Sequence, residues 1–198
     1  GTDGGAAIYA DGSWQTFEHP DGLLVDTVNV ILQDRFGGMW FGSYVAPRGG
    51  LSICGKVSCS YFSTQNGLPH NNVTSLLEDR DGNVWVGTGF SDHGGAARFV
   101  RVEGTWQIQE VLTSADGLAG DKVRSIYQDG NGILWFGSEF NGLAFNSSGW
   151  VVLTERNGLS NPEVKAMLQD NEGNLWIGTR DGLTRISAQG LDYLFSEK

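Results

Sequence analysis

Basic residues are scarce in this chain of 198 residues: 13 Lys and Arg stand against 23 Asp and Glu, a net charge of -10. No run of Lys and Arg exists, which excludes nucleic acids and other polyanions as partners, because neutralising phosphates takes clustered cations. Proline is low at 4 residues and histidine at 3. The three His have no Asp or Glu at ligand spacing, so no metal site is expected. The P-loop, the HExxH helix and the GxSxG elbow are all missing, which counts against enzymatic readings, and no cofactor is expected. No apolar stretch approaches the roughly 18 residues of a membrane span. The only two cysteines, Cys54 and Cys59, lie in ICGKVSC. A hairpin loop over residues 55–58 would place their sulfurs across paired strands at bridging distance. A disulfide, implying an oxidising compartment, and a pair of small buried residues are the two readings.

Glycine, by contrast, is abundant at 30 residues. With no collagen period and no low-complexity run, this is a turn-rich β composition. Many of the glycines belong to a repeat: DRFGGMWFGS (34–43), DRDGNVWVGT (79–88), DGNGILWFGS (129–138) and DNEGNLWIGT (170–179). Each copy has Asp, Gly three residues later, Trp three after that, then an apolar residue, Gly, and Ser or Thr. The Trp residues are 45, 50 and 41 positions apart, and the Leu of a Gly-Leu pair (Leu23, Leu68, Leu118, Leu159) stands eleven before each Asp. A rigid block therefore recurs, with all length variation between blocks.

Within a block, VNVILQD, VTSLLED, VRSIYQD and VKAMLQD read as a first strand. The last of these, after Asn161-Pro162-Glu163, would pass alone for a capped helix, but the register of the other copies overrules it. The second strand follows in MWFGS, VWVGT, LWFGS and LWIGT. Between the two, Gly37, Gly82, Gly132 and Gly173 occupy the turn position that needs positive φ. Asp34, Asp79, Asp129 and Asp170 are expected to accept hydrogen bonds from the turn amides. GGLSIC, GGAARF, NGLAFN and DGLTRI form a third strand, and SCSYFS, GTWQIQEVL, GWVVLTE and LDYLFSE a fourth.

Four short strands in about 45 residues, with no helix between them, predict an all-β propeller of four-stranded antiparallel blades. The blades fall at 23–66, 67–115, 116–156 and 157–198, and 1–22 hold two outer strands of a preceding blade. Gly1-Thr2 followed by DGGAAIY matches Gly178-Thr179 followed by RDGLTRI, so the chain is expected to begin inside an upstream block. The result is a partial propeller, either a fragment of a longer protein or a homo-oligomer that completes its ring by association. Trp40, Trp85, Trp135 and Trp176 recur at one fixed place in every copy, which assigns them to packing between blades rather than to a ligand.

The phrase NGLPHNNVTSLLEDRDGNVWVGT (Asn66–Thr88), with its weaker copies, resembles the two-component regulator propeller repeat. That repeat builds periplasmic sensor regions of bacterial hybrid histidine kinases. The resemblance implies a periplasmic or extracellular propeller that detects small molecules or oligosaccharides and passes a signal on. Its motif is scaffold and carries over no binding residues.

Binding is therefore expected where the copies differ, in the connections after the second strand. The longest are YVAPRGG (44–50) and GFSDHGG (89–95). They offer Tyr44, Arg48, Phe90, Asp92 and His93, an aromatic and polar mixture suited to a sugar or other small polar ligand. Glu139, Phe140 and Arg180 hold the corresponding places in later copies, and His70, like His19, lies on an entry loop. The reading is a non-enzymatic sensing module. Its rivals are a propeller enzyme of streptogramin-lyase-like or hydrolytic type, with His93 or His70 as general base, and a protein-interaction scaffold. The recurring Asp does not support paired-carboxylate catalysis, because a catalytic group is normally unique within a chain.

Overall fold

A computed structural model describes residues 1–19 and 22–196. Strands β1 (Ala6–Ala10) and β2 (Ser13–Phe17) make a two-stranded hairpin. The first four-stranded sheet contains β3 (Val30–Gln33), β4 (Met39–Gly42), β5 (Leu51–Cys54) and β6 (Cys59–Phe62). The second contains β7 (Val73–Glu78), β8 (Val84–Phe90), β9 (His93–Val102) and β10 (Thr105–Leu112). The third contains β11 (Val123–Gln128), β12 (Leu134–Ser138), β13 (Leu143–Asn146) and β14 (Trp150–Leu153). The last has three strands, β15 (Val164–Gln169), β16 (Leu175–Thr179) and β17 (Gly182–Ile186), followed by helix α1 (Ala188–Ser196). Each sheet is an antiparallel meander in chain order. The first strands β3, β7, β11 and β15 are successive neighbours in space, so the sheets stand side by side as propeller blades around a channel. VKAMLQ is a strand, as the repeat register requires.

The repeated Asp closes its own turn. In all four copies Oδ1 accepts two backbone N–H groups of the turn at 2.8–3.0 Å. Oδ2 accepts the indole N–H of the Trp six residues on at 2.7–3.0 Å. The turn glycines have φ of 83–85°, as their place in the loop requires. The indole bond, first among the causes, followed by the Asn174 amide, holds the Asp170 carboxyl down at about 2.

With its N–H satisfied, each Trp ring is free to pack. Trp40 is fully buried and meets Phe99 and Trp106 of the next sheet edge-on at 5.3 and 5.0 Å, and Trp85 meets Phe136 at 5.3 Å. The apolar clusters accordingly straddle neighbouring sheets. The core lies between blades and has no single centre. Ahead of β7, β11 and β15, a 3-10 turn (Thr64–Asn66, Ser114–Asp116, Glu155–Asn157) is closed by a glycine at φ 101–120°, after which Leu68, Leu118 or Leu159 is buried. This is the structural content of the Gly-Leu marker, and the sequence reading had not assigned these turns. Cys54 and Cys59 are register partners at the β5/β6 hairpin and are joined as a disulfide.

The segment LDYLFSE departs from expectation: its residues 191–196 are helix, not a fourth strand, so among the described residues three sheets are four-stranded and the last has three strands. Ser187 Oγ accepts the Gly190 N–H at 3.1 Å, capping the first turn. Leu191, Leu194 and Phe195 then share one face, which packs on the cluster holding Trp135 and Phe145. Among the described residues no helix is long and apolar enough to cross a membrane.

Candidate functional site

One residue sits in the entry segment just ahead of each first-strand Val: Thr27, Asn72, Lys122 and Glu163. The hairpin that follows the second strand folds back on it. Gly89 N–H donates to Asn72 O, Glu139 N–H to Lys122 O and Arg180 N–H to Glu163 O, at 2.9–3.1 Å. Entry segments and hairpins thus form one continuous face at one end of the channel.

Lys122 is the centre of that face. It is 6% exposed, and the rings of Tyr44, Phe90 and Phe140, from three different sheets, have centroids 5.8 Å from its Nζ, within cation–π range. Nζ donates to Glu139 Oε2 at 2.8 Å, and Arg124 Nη1 donates to the same oxygen at 2.7 Å. Burial works against the Lys122 charge, but bonds to Glu139 and Tyr44 outweigh it and hold its pKa above the ordinary value. Burial likewise opposes the Glu139 charge, and Lys122 and Arg124 outweigh it, holding that pKa below the ordinary value. The pair is therefore ionised across the neutral range.

The segment 89–95 is not the open loop that the sequence suggested. β8 and β9 run on through it, pairing Gly89 with Gly94 and Phe90 with His93, and only Ser91 and Asp92 turn the chain. Glycine explains the difference: a Cβ on Gly89 would lie 2.7 Å from Lys122 Cα, and one on Gly94 2.6 Å from Asp121 O. The bare backbone lets the hairpin lie against the neighbouring entry segment and carry Phe90 to Lys122.

Of the residues singled out in the sequence, Tyr44, Phe90, Glu139, Phe140 and His70 meet here. The His70 ring stacks on Phe90 with centroids 6.5 Å apart, and its Nδ1 accepts the Asn72 N–H at 2.9 Å. Asp92 and His93 pair at 2.6 Å with both side chains out in solvent at the hairpin tip. Arg180 is exposed beside a small cleft that Glu139, Phe140 and Glu163 also line. Arg48 lies apart, on a separate open cleft of about 690 Å³ with His19, Asp26 and Asn71. Lys122, Arg124, Glu163 and Lys165 were missed. The signal was present, since the positions flanking the first-strand Val are neutral in the first two copies (Thr27/Asn29, Asn72/Thr74) and charged in the last two (Lys122/Arg124, Glu163/Lys165). Among the described residues no group of three His, Cys, Asp or Glu is placed to hold a metal ion.

Fold and site together define a repeat-built propeller with an aromatic-rimmed, charged face at one mouth of its channel. The model of the two-component regulator propeller matches residues 22–45, 67–90, 117–140 and 158–181, one match for each Gly-Leu-to-Gly-Ser/Thr block. The chain belongs to the two-component regulator propeller repeat family. No curated protein matches the sequence.

Among solved structures, the chain is similar to the extracellular domains of two hybrid two component systems from B. thetaiotaomicron. One superposes with a TM-score of 0.69 at 24% identity, over 93% of this chain and 25% of that one. The other superposes with a TM-score of 0.56 at 22% identity, over 94% of this chain and 30% of that one. Streptogramin B lyase superposes with a TM-score of 0.59 at 17% identity, over 90% of this chain and 57% of that one. The chain thus spans 25–30% of the length of these extracellular domains, and at such identities the likeness is one of fold.

Proposed function

We propose that the face around Lys122 receives a small polar ligand, such as a saccharide, and that the chain is a non-enzymatic sensing module of a bacterial two-component-type regulator outside the cytoplasm. The observation that carries this reading is the convergence of three aromatic rings on one buried, ion-paired lysine. Phe90 and Phe140 remain 55% and 54% exposed, so each offers an apolar ring beside charged hydrogen-bonding groups. That combination suits a sugar, whose C–H faces stack on rings while its hydroxyls pair with polar groups. The extracellular placement of the solved sensor relatives supports the location.

Calorimetric titration against a saccharide and metabolite panel tests the reading. Phe140→Ala is expected to weaken binding about tenfold, or about 1.4 kcal/mol, with little change in stability because its ring is half exposed. Turnover of any ligand that disappears in His93→Ala would instead favour a propeller enzyme built on the Asp92–His93 pair. Binding that survives removal of both Phe90 and Phe140 would place the ligand elsewhere.

A further inference from the structure

We propose that the ligand of this face carries an oxyanion, a carboxylate or ester phosphate on a small hydroxylated molecule, seated in the channel on Arg124 and Lys165. The inference rests on the reading that this face takes a small ligand, and adds the chemistry of that ligand. A cavity of about 430 Å³ opens beneath the aromatic rim, lined by Asn29, Val30, Tyr44, Thr74, Arg124 and Lys165. An adjoining cleft of about 390 Å³ along the first strands shares Val30, Thr74, Arg124 and Lys165 and likewise has no Asp or Glu in its lining. In a chain where acids outnumber bases 23 to 13, two neighbouring hollows that contain cations and no carboxylate stand out from the rest of the surface.

The ion pairs above the cavity do not use up these cations. Lys122, Arg124 and Lys165 face two carboxylates, Glu139 and Glu163, leaving one positive charge in excess. Glu139 is tightly held by Lys122 and Arg124. Glu163, however, stands 3.6 Å from both Arg124 Nε and Lys165 Nζ, beyond hydrogen-bond reach. The side chains of Arg124 and Lys165 are 37% and 44% exposed, so both can turn donors to an incoming group. A guanidinium beside an ammonium matches an oxyanion with several acceptor oxygens, while Tyr44 and Asn29 supply neutral partners for hydroxyls. The cavity volume suits a molecule of one or two sugar rings. The net charge of -10 repels a polyanion, which restricts the ligand to a small anion.

The test is titration of the whole chain with glucose, glucuronate, glucose 6-phosphate and inorganic phosphate at low and high salt. Glucuronate or glucose 6-phosphate should bind at least about tenfold more tightly than glucose, and added salt should erode that margin in the wild-type protein. Whichever of the two binds more tightly identifies the oxyanion as carboxylate or phosphate. Lys165→Gln, at a half-exposed side chain clear of the core, and Arg124→Gln should each abolish most of the preference for the charged sugar over glucose, read as the ratio of the two affinities within each variant. Equal binding of acid and neutral sugars, lost together in Phe140→Ala, would overturn the anion site and leave the ligand-binding reading standing. Binding of none of the four would remove the support for both, and inorganic phosphate bound as tightly as either sugar acid would overturn the hydroxylated ligand.

Discussion

Each recurring Asp uses both carboxylate oxygens within its own turn, and none faces the channel mouth. The residues that do face it occur once each. His70 is an example, with Nδ1 committed to accepting the Asn72 N–H, a bond that a proton on that nitrogen would break. Burial, then the nearby His93 and Lys122, holds the His70 pKa below 6.5. The unfolded chain therefore takes up the proton first, so the contribution of neutral His70 to stability is complete above that value and declines as pH falls below it. Urea midpoints of the wild-type protein should drop between about pH 7 and about pH 5, and His70→Asn should flatten that slope; an unchanged slope would refute the assignment. The scaffold Asp residues could be read from the sequence because four copies show the same spacing. The burial of Lys122 could not, because a lone Lys reads as solvated until rings from three sheets are known to surround it.

At the level of elements, the repeat register was a good guide to β15 and a poor one to α1. In β15 the flanking strand β16 pairs from Val164 to Gln169 with one register shift at Lys165, and this ladder overrides the helical look of NPEVKAML. After β17 the chain has a capping Ser187 and an i, i+3, i+4 apolar set, and local signals prevail over analogy with the other copies. In the segment 89–95 the length and variability of GFSDHGG point to an open connection, whereas its three glycines permit close approach of a continuous β8/β9 hairpin. Gly94 has φ of 150°, and a Cβ there would sit 2.5 Å from Gly89 Cα and from Thr88 O. Gly94→Ala should therefore destabilise the protein by about 2 kcal/mol or more and displace Phe90. Denaturant unfolding and ligand titration together check this, and a variant of wild-type stability would show that the hairpin tolerates a side chain at its contact with Lys122.

At the scale of the whole molecule, the core is divided among interfaces between neighbouring sheets, so stability passes along the chain through nearest neighbours. The site obeys the same geometry, because Phe90 comes from the second sheet and Lys122 and Phe140 from the third. Damage to that interface should therefore appear twice. Trp85 is 5% exposed and packs across it on Phe136. Trp85→Ala should cost about 3–5 kcal/mol and weaken ligand binding without removing any group that touches the ligand. Trp176 occupies the equivalent place in the last sheet but is only half-buried, with Arg185 5.7 Å from its ring. Trp176→Ala should cost about half as much or less and leave the ligand affinity intact, although the two residues are indistinguishable in the repeat. Equal losses of stability, or equal losses of binding, would show that the blades act as one cooperative body and that the face around Lys122 does not depend specifically on the interface beneath it.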